Sequence, residues 1–262
     1  MPTFPWSVAL VTGASSGIGR EFARLLAADG TNLVVVARRT ERLEELREEL
    51  TAAHDVEVEV LSADLTKTQQ RALVEDRLQD GDAPVDLLVN NAGFGTYGRF
   101  DELDADREER ELQLLVVAVH RLTRAAVPGM LDRGHGSILN VSSLAGFQPL
   151  PYDATYSAAK AFVTRFSEAL HEEYRGTGVG VTALCPGFVR TEFHERADIA
   201  RGGVPRAAWL DAERVAREGL HAAARGAAVH VPGVGYRALA AAAGLAPRAL
   251  VRRIAGVVTR RI

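Results

Sequence analysis

Short apolar runs recur along the chain, separated by stretches whose apolar residues return every three or four positions. The runs are SVALVT (7–12), NLVVVA (32–37), VEVEVL (56–61), VDLLVN (85–90), SILNVS (137–142), VGVTALC (179–185) and AVHVP (228–232). Most are continuous rather than alternating, which predicts strands covered on both faces, as in a parallel sheet. TERLEELREELTAA sets Leu43, Leu46 and Leu50 on one helical stripe, with Thr40 as the predicted N-cap. TYSAAKAFVTRFSEALHEEYRGTG predicts a second helix, ending at glycines suited to a C-cap. LQLLVVAVHRL (112–122) predicts the middle of a third, with no polar residue between Leu114 and Val119.

Strand–helix alternation through the whole length predicts right-handed βαβ units. No Pro/Gly/Ser tract divides the chain, so residues 1–262 are expected to form a single α/β domain. The expected architecture is a doubly wound parallel sheet of about seven strands with helices on both faces. Its ligand site should lie at the carboxyl ends of the strands, near the switch point.

Bulk properties narrow the class. The net charge is −3, which gives no global pull toward nucleic acid or an anionic membrane. A single cysteine, Cys185, rules out an internal disulfide and fits a reducing compartment. The N-terminus MPTFPWSVALVTG lacks the pattern of a secretory signal, and the apolar runs are shorter than the ~20 residues of a membrane span. A cytoplasmic location is expected. The seven histidines and the cysteine show no HxxH or CxxC spacing, so no metal site is predicted.

Candidate chemistry begins directly after the first strand. VALVTGASSGIGREFARLLAADG places Gly13, Gly17 and Gly19 where a tight turn, a close backbone approach to a pyrophosphate and close helix–strand packing need them. A helix starting near Gly17 would offer its positive end to the anion. The second strand ends VVVARRTER. Ala37 offers no carboxylate to a ribose 2′-hydroxyl, and Arg38 and Arg39 can fork onto a 2′-phosphate, which predicts NADP rather than NAD. The competing reading makes both arginines solvated charges paired with Glu41 or Glu44.

Tyr156 and Lys160 stand four residues apart, on one face of a helix. An ammonium neighbour favours phenolate, so the pair predicts a phenol pKa brought down from ~10 into a range useful for proton exchange. Ser143, at the end of a strand, could hold a carbonyl oxygen beside that phenol. Ser142 competes for the role, its alternative being a local backbone bond.

TGASSGIG (12–19), DL (64–65), NNAG (90–93), NVSS (140–143), YSAAK (156–160) and PGFVRT (186–191) occur in this order over most of the chain. Together they resemble a classical short-chain dehydrogenase/reductase of the NADP-preferring subgroup, with its Rossmann-like fold. The resemblance implies that Tyr156 is the general acid in reduction and base in oxidation. Lys160 would bond the nicotinamide ribose and tune Tyr156, and Ser143 would orient the carbonyl. The turn residues Gly13, Ser15, Ser16, Gly17, Ile18 and Gly19 would hold the cofactor with Arg38 and Arg39. Asp64 and Leu65 would line the adenine pocket. Asn91, Ala92 and Gly93 would support the cofactor, and Val189 and Thr191 would hold the nicotinamide carboxamide.

One position departs from the resemblance. The family usually keeps an asparagine in the long helix where this chain has Leu115, and its implied role is to hold a water that links the lysine to solvent. Leucine cannot bond that water. A rerouted relay would leave a working enzyme, and Leu115→Asn is then expected to raise turnover. Gln113 and His120, two and five residues away, do not point with Leu115 at helical pitch.

Residues 188–225 are expected to form a substrate-loop or lid region that includes Gly202 and Gly203. Phe94, Leu144, Phe147, Tyr152, Phe188 and Phe193 are candidates for an apolar pocket wall, suited to a hydrophobic carbonyl or alcohol substrate. A C-terminal helical extension, 233–262, carries arginines at 248, 252, 253, 260 and 261. It could dock on the domain, contact a partner subunit in a homodimer or homotetramer, or lie on a membrane surface. Two functions follow: an NADP(H)-dependent carbonyl reductase or alcohol dehydrogenase, or a catalytically silent NADP-binding regulatory or scaffold module, the reading that Leu115 favours.

Overall fold

The strands in the middle of the sheet feed two cores at once. In β1 (Val8–Thr12), Ala9 and Val11 enter one apolar cluster and Leu10 enters the other. In β2 (Asn32–Ala37), Leu33 and Val35 face the first cluster while Val34 and Val36 face the second. Successive side chains point to opposite faces, so a strand buried on both sides must be apolar throughout. β3 (Val58–Ser62), β4 (Leu87–Asn90), β5 (Gly136–Val141), β6 (Val179–Leu184) and the two-residue β7 (Val229–His230) complete a seven-stranded sheet ordered β3-β2-β1-β4-β5-β6-β7. Every pairing is parallel. The computed structural model describes residues 3–193, 205–245 and 252–253.

Helices α1 (Gly17–Ala28) and α2 (Thr40–Ala53) and the helix Ala212–Ala224 cover one face through Phe22, Leu26, Leu43, Leu46, Leu50 and Leu220. On the other face lie α3 (Thr68–Gln79), a long helix and α6 (Ala154–Glu173). The long helix runs as α4 (Ala105–Leu112), a π-helical turn (Gln113–Ala118) and α5 (Val119–Arg133). By length and composition Ala105–Arg133 could cross a membrane, which the separate apolar runs did not indicate. Half of its apolar window is buried inside the protein.

Two local expectations are corrected. Arg39, not Thr40, is the extended residue before α2; Thr40 opens the helix, and its hydroxyl bonds Ser62 Oγ at 2.8 Å. Tyr174, not a glycine, follows the last residue of α6; the left-handed Gly176 and Gly178 shape the turn into β6 beyond it.

The order reverses between β1 and β4, and the loops after these two strands lock together. Thr12 Oγ1 accepts from the backbone N–H of Asn91 at 2.9 Å and of Ala92 at 3.1 Å, and Asn91 Nδ2 donates to the Thr12 carbonyl oxygen. Deeper, Asn90 Nδ2 donates to Asn140 Oδ1 and Asn140 Nδ2 to Ser167 Oγ, each at 2.9 Å. This buried ladder fixes α6 against β4 and β5, since a polar group this deep is costly unless it is bonded.

Candidate active site

The carboxyl ends of the strands open into a cleft of about 490 Å³. Gly13, Ser15, Ser16, Gly17, Ile18, Arg38, Arg39, Asp64, Leu65, Asn91, Ala92, Gly93, Ser143, Tyr156, Lys160, Val189 and Thr191 all line it. Gly19 lies behind the turn instead. A Cβ there would stand 2.3 Å from the Gly13 carbonyl oxygen, so this glycine lets α1 pack onto the turn. Gly13 itself has φ +70°, and a Cβ on it would stand 2.9 Å from Ala92 Cα. Glycine at both positions keeps the turn tight and its backbone open to a diphosphate, at the N-terminal end of α1.

At the far end of this cradle, Arg39 Nη2 donates to Ser15 Oγ at 3.0 Å and Ser16 Oγ at 3.1 Å. Glu41 and Glu44 are not the partners that the competing reading required. Glu44 pairs with Arg47, and Glu192 approaches Arg39 at 3.5 Å and Arg42 at 2.8 Å. Ala37 ends its strand with no carboxylate, and Arg38 and Arg39 line the cleft directly after it. The donor set therefore fits NADP(H). Asp64 accepts from both the backbone N–H and the hydroxyl of Thr66, which fixes the loop after β3.

α6 delivers Tyr156 and Lys160 to the same wall. Lys160 is buried, and its Nζ donates to the Val141 carbonyl oxygen at 2.8 Å while standing 5.5 Å from the Tyr156 ring centre. The Ser143 hydroxyl interacts with the phenol and also accepts from the Ala145 N–H at 3.1 Å. Ser142 also lines the cleft, but its hydroxyl is engaged by the Lys160 carbonyl oxygen at 2.8 Å and Thr164 Oγ1 at 2.7 Å, a structural role. Phe193 packs on the Tyr156 ring with centroids 5.7 Å apart.

The electrostatics correct one expectation. The Tyr156 pKa is raised, not lowered: burial comes first, then the negative charge of Asp153, against a smaller opposing pull from Ser143. Burial also brings the Lys160 ammonium down to about 8. The spacing shows that the two groups are neighbours, but it does not show that both are desolvated. Asp153, at the cleft wall, is pushed up to about 7 by burial and by Glu111 and Glu108.

Phe94, Leu144, Phe188 and Phe193 line the cleft as expected, together with the unanticipated Tyr97, Leu114, Leu150 and Tyr236. Phe147 packs instead beside Ala183, Cys185 and Val231, and Tyr152 lies against Tyr97 with a left-handed φ of 67°. Both leave the wall because they sit in tight turns whose facing no periodicity reveals. Of the expected lid, the described parts pair Val189 with Leu210. Tyr236 Oη pins them from the helix Val234–Leu245, donating to the Ala208 carbonyl oxygen at 2.6 Å and accepting from the Phe188 N–H at 3.2 Å. Gly202, Gly203 and the arginines at 248, 260 and 261 fall outside the described residues.

Leu115 is 1% exposed, and a Cβ on Gly93 would stand 3.0 Å from its Cδ2. Its side chain thus fills the level behind the cofactor loop. His120 points elsewhere, onto Phe166 at 5.7 Å, and Gln113 lines a separate surface recess.

Comparison with known proteins agrees with this geometry. A family model described as short chain dehydrogenase matches residues 7–201. A very-long-chain 3-oxoacyl-CoA reductase of Anas platyrhynchos is 37% identical over 190 residues, which is 70% of this chain and 60% of that protein. The match thus spans about three fifths of that relative's length. A short-chain dehydrogenase from Sphingobium yanoikuyae, solved in complex with NADPH, superposes with a TM-score of 0.83 at 36% identity, covering 90% of this chain and 92% of that one. A bulky-bulky ketone specific alcohol dehydrogenase from Comamonas testosteroni superposes with a TM-score of 0.79 at 33% identity, covering 90% and 91%.

Proposed function

This chain belongs to the short-chain dehydrogenase family, and on that footing we propose that it is an NADPH-dependent reductase of hydrophobic ketones or aldehydes, with Tyr156 as the proton donor. The observation that carries the reading is the convergence of Tyr156, Lys160 and Ser143 on one wall of a cleft whose other end is a glycine cradle flanked by arginines. When bound, the dinucleotide supplies a hydride to the carbonyl carbon. Ser143 then holds the carbonyl oxygen by a hydrogen bond. Tyr156 gives that oxygen its phenolic proton, so the ketone leaves as a secondary alcohol. Lys160 keeps a positive charge beside the phenolate that forms.

The phenol holds its proton at neutral pH and is available as the acid of a reduction. Phe94, Leu144, Phe188 and Phe193 favour a bulky apolar substituent on the carbonyl. This accords with relatives named for very-long-chain 3-oxoacyl-CoA and for bulky-bulky ketones.

The test is NADPH consumption with a panel of long-chain 3-oxoacyl thioesters and bulky ketones, beside Tyr156→Phe. Turnover in the native protein, lost in the variant while NADPH still binds, is the expected result. Tight NADPH binding with no turnover across the panel would favour the silent binding module, for which buried Leu115 is the one structural argument.

A further inference from the structure

Behind Tyr156 and Lys160 lies a buried acidic pair that the chemistry above does not use. Glu111 is 0% exposed, and Glu108, on the same helix, is also buried. Thr96, in the loop after β4, places its single hydroxyl between them, within bonding distance of Glu108 Oε1 and 2.7 Å from Glu111 Oε2. One hydroxyl has one hydrogen. It can donate to one carboxylate only, and the other contact is a hydrogen bond only if that carboxyl carries a proton. Thr155, next to Tyr156, donates to Glu108 Oε2 at 2.5 Å. Glu108 thus collects two hydroxyl donors, while Glu111 Oε1 is buried with no hydrogen-bond partner among the described residues. An orphaned oxygen costs a neutral acid far less than a carboxylate, so the proton belongs on Glu111.

We propose that Glu111, Thr96 and Glu108 form a shared-proton unit, and that Glu111 is a positioning residue that sets the pH range over which Tyr156 and Lys160 keep their protons. Leu115, where the family resemblance expects a polar side chain, lies four residues further along, in the π-helical turn. The kinetic half of the proposal rests on the reading of Tyr156 as the proton donor. The titratable groups facing Glu111 are few: Glu108 from its own helix, and Asp153, Tyr156 and Lys160 from α6 and its first turn. Lys160 supplies the one positive charge among them. Burial pushes Glu111 up to about 7, which agrees with the hydrogen count at Thr96. Once ionised, Glu111 favours the protonated forms of both Tyr156 and Lys160. Without its charge, both groups release their protons at lower pH.

Lys67 and Lys160 are the only lysines in the chain, so ¹³Cε-lysine labelling gives two NMR resonances, with exposed Lys67 as the internal reference. In Glu111→Gln the Lys160 midpoint should fall by roughly one pH unit while that of Lys67 stays put. The alkaline limb of NADPH-dependent reduction should move the same way. Infrared difference spectra of native protein against Glu111→Gln at about pH 6 should show one protonated-carboxyl band, absent at about pH 9. The infrared and NMR measurements need no turnover, so they stand even if no substrate is found. An unshifted Lys160 midpoint overturns the positioning role. The lack of a protonated-carboxyl band in native protein at about pH 6 minus about pH 9, a comparison that needs no variant, overturns the shared proton, and the Glu111→Gln spectrum assigns the band to Glu111 rather than Asp153.

Discussion

The ammonium of Lys160 stands 5.5 Å from the centre of the Tyr156 ring and is held there by the Val141 carbonyl oxygen, 2.8 Å away at the end of β5. The sheet therefore aims the lysine, and the helix sets its distance from the phenol. Burial lowers the ammonium to about 8, so its charge is lost within an accessible pH range. For ketone reduction, kcat/KM should fall as pH rises through about 8, because that constant reports groups of the free enzyme. Lys160→Met should cost roughly 10²–10⁴ in kcat/KM and remove that descent. A flat profile through this region, or a variant of native activity, would show that the ammonium takes no part.

Cofactor choice should turn on the arginines after β2. Arg39 reaches Ser15 and Ser16, so its guanidinium lies over the phosphate turn. Its pairing with Glu192 is partly exposed and worth little. A charged hydrogen bond contributes about 1.5–3 kcal/mol. Replacement by aspartate also adds repulsion. Arg38→Asp and Arg39→Asp should each lower the ratio of NADP to NAD affinity by about 10–100-fold, read by fluorescence titration. An unchanged ratio in both variants would defeat the assignment.

The frame was legible from the sequence because the apolar residues of the central strands answer to one of two cores. Leu10 and Val11 are adjacent yet buried on opposite faces, and a continuous apolar run such as VALVT fits a strand covered on both sides. The glycine turn was equally legible, since Gly13 and Gly19 leave no room for a Cβ. The remainder depended on distance along the chain. Arg42 meets Glu192 across 150 positions, and no local pattern announces that pair. Glu111 reads as one more polar residue of an amphipathic helix until Thr96 and α6 close over it. Burial decides the Tyr156 pKa, and a four-residue spacing carries no information about burial.

Leu115→Asn bears on the opening of the long helix to the site. The side chain is buried against Gly93, so an asparagine there would lose apolar packing and bring a polar amide that needs partners. The variant should lose about 1–3 kcal/mol in urea unfolding, with NADPH affinity unchanged. Turnover should rise if a water can be held at this level. Equal or lower turnover, in a variant that still binds NADPH, would count against a missing relay.

Glu111 also links stability to pH. Its carboxyl sits at about 7 in the folded chain against 4.5 for an ordinary glutamate, so the folded state holds this proton more tightly than the unfolded one. For a raised pKa the stabilising contribution is complete below the unfolded value and is lost as pH climbs through the folded value. The window is therefore between 4.5 and about 7. Integrated over it, the loss amounts to at most about 3 kcal/mol, and coupling to Glu108 spreads part of it over the pair. Glu111→Gln has nothing to titrate there. Urea unfolding at about pH 5 and about pH 8 should show the native protein losing stability relative to the variant as pH rises. If the two curves fall in parallel, Glu111 is ionised throughout and the proton assigned to it is not there.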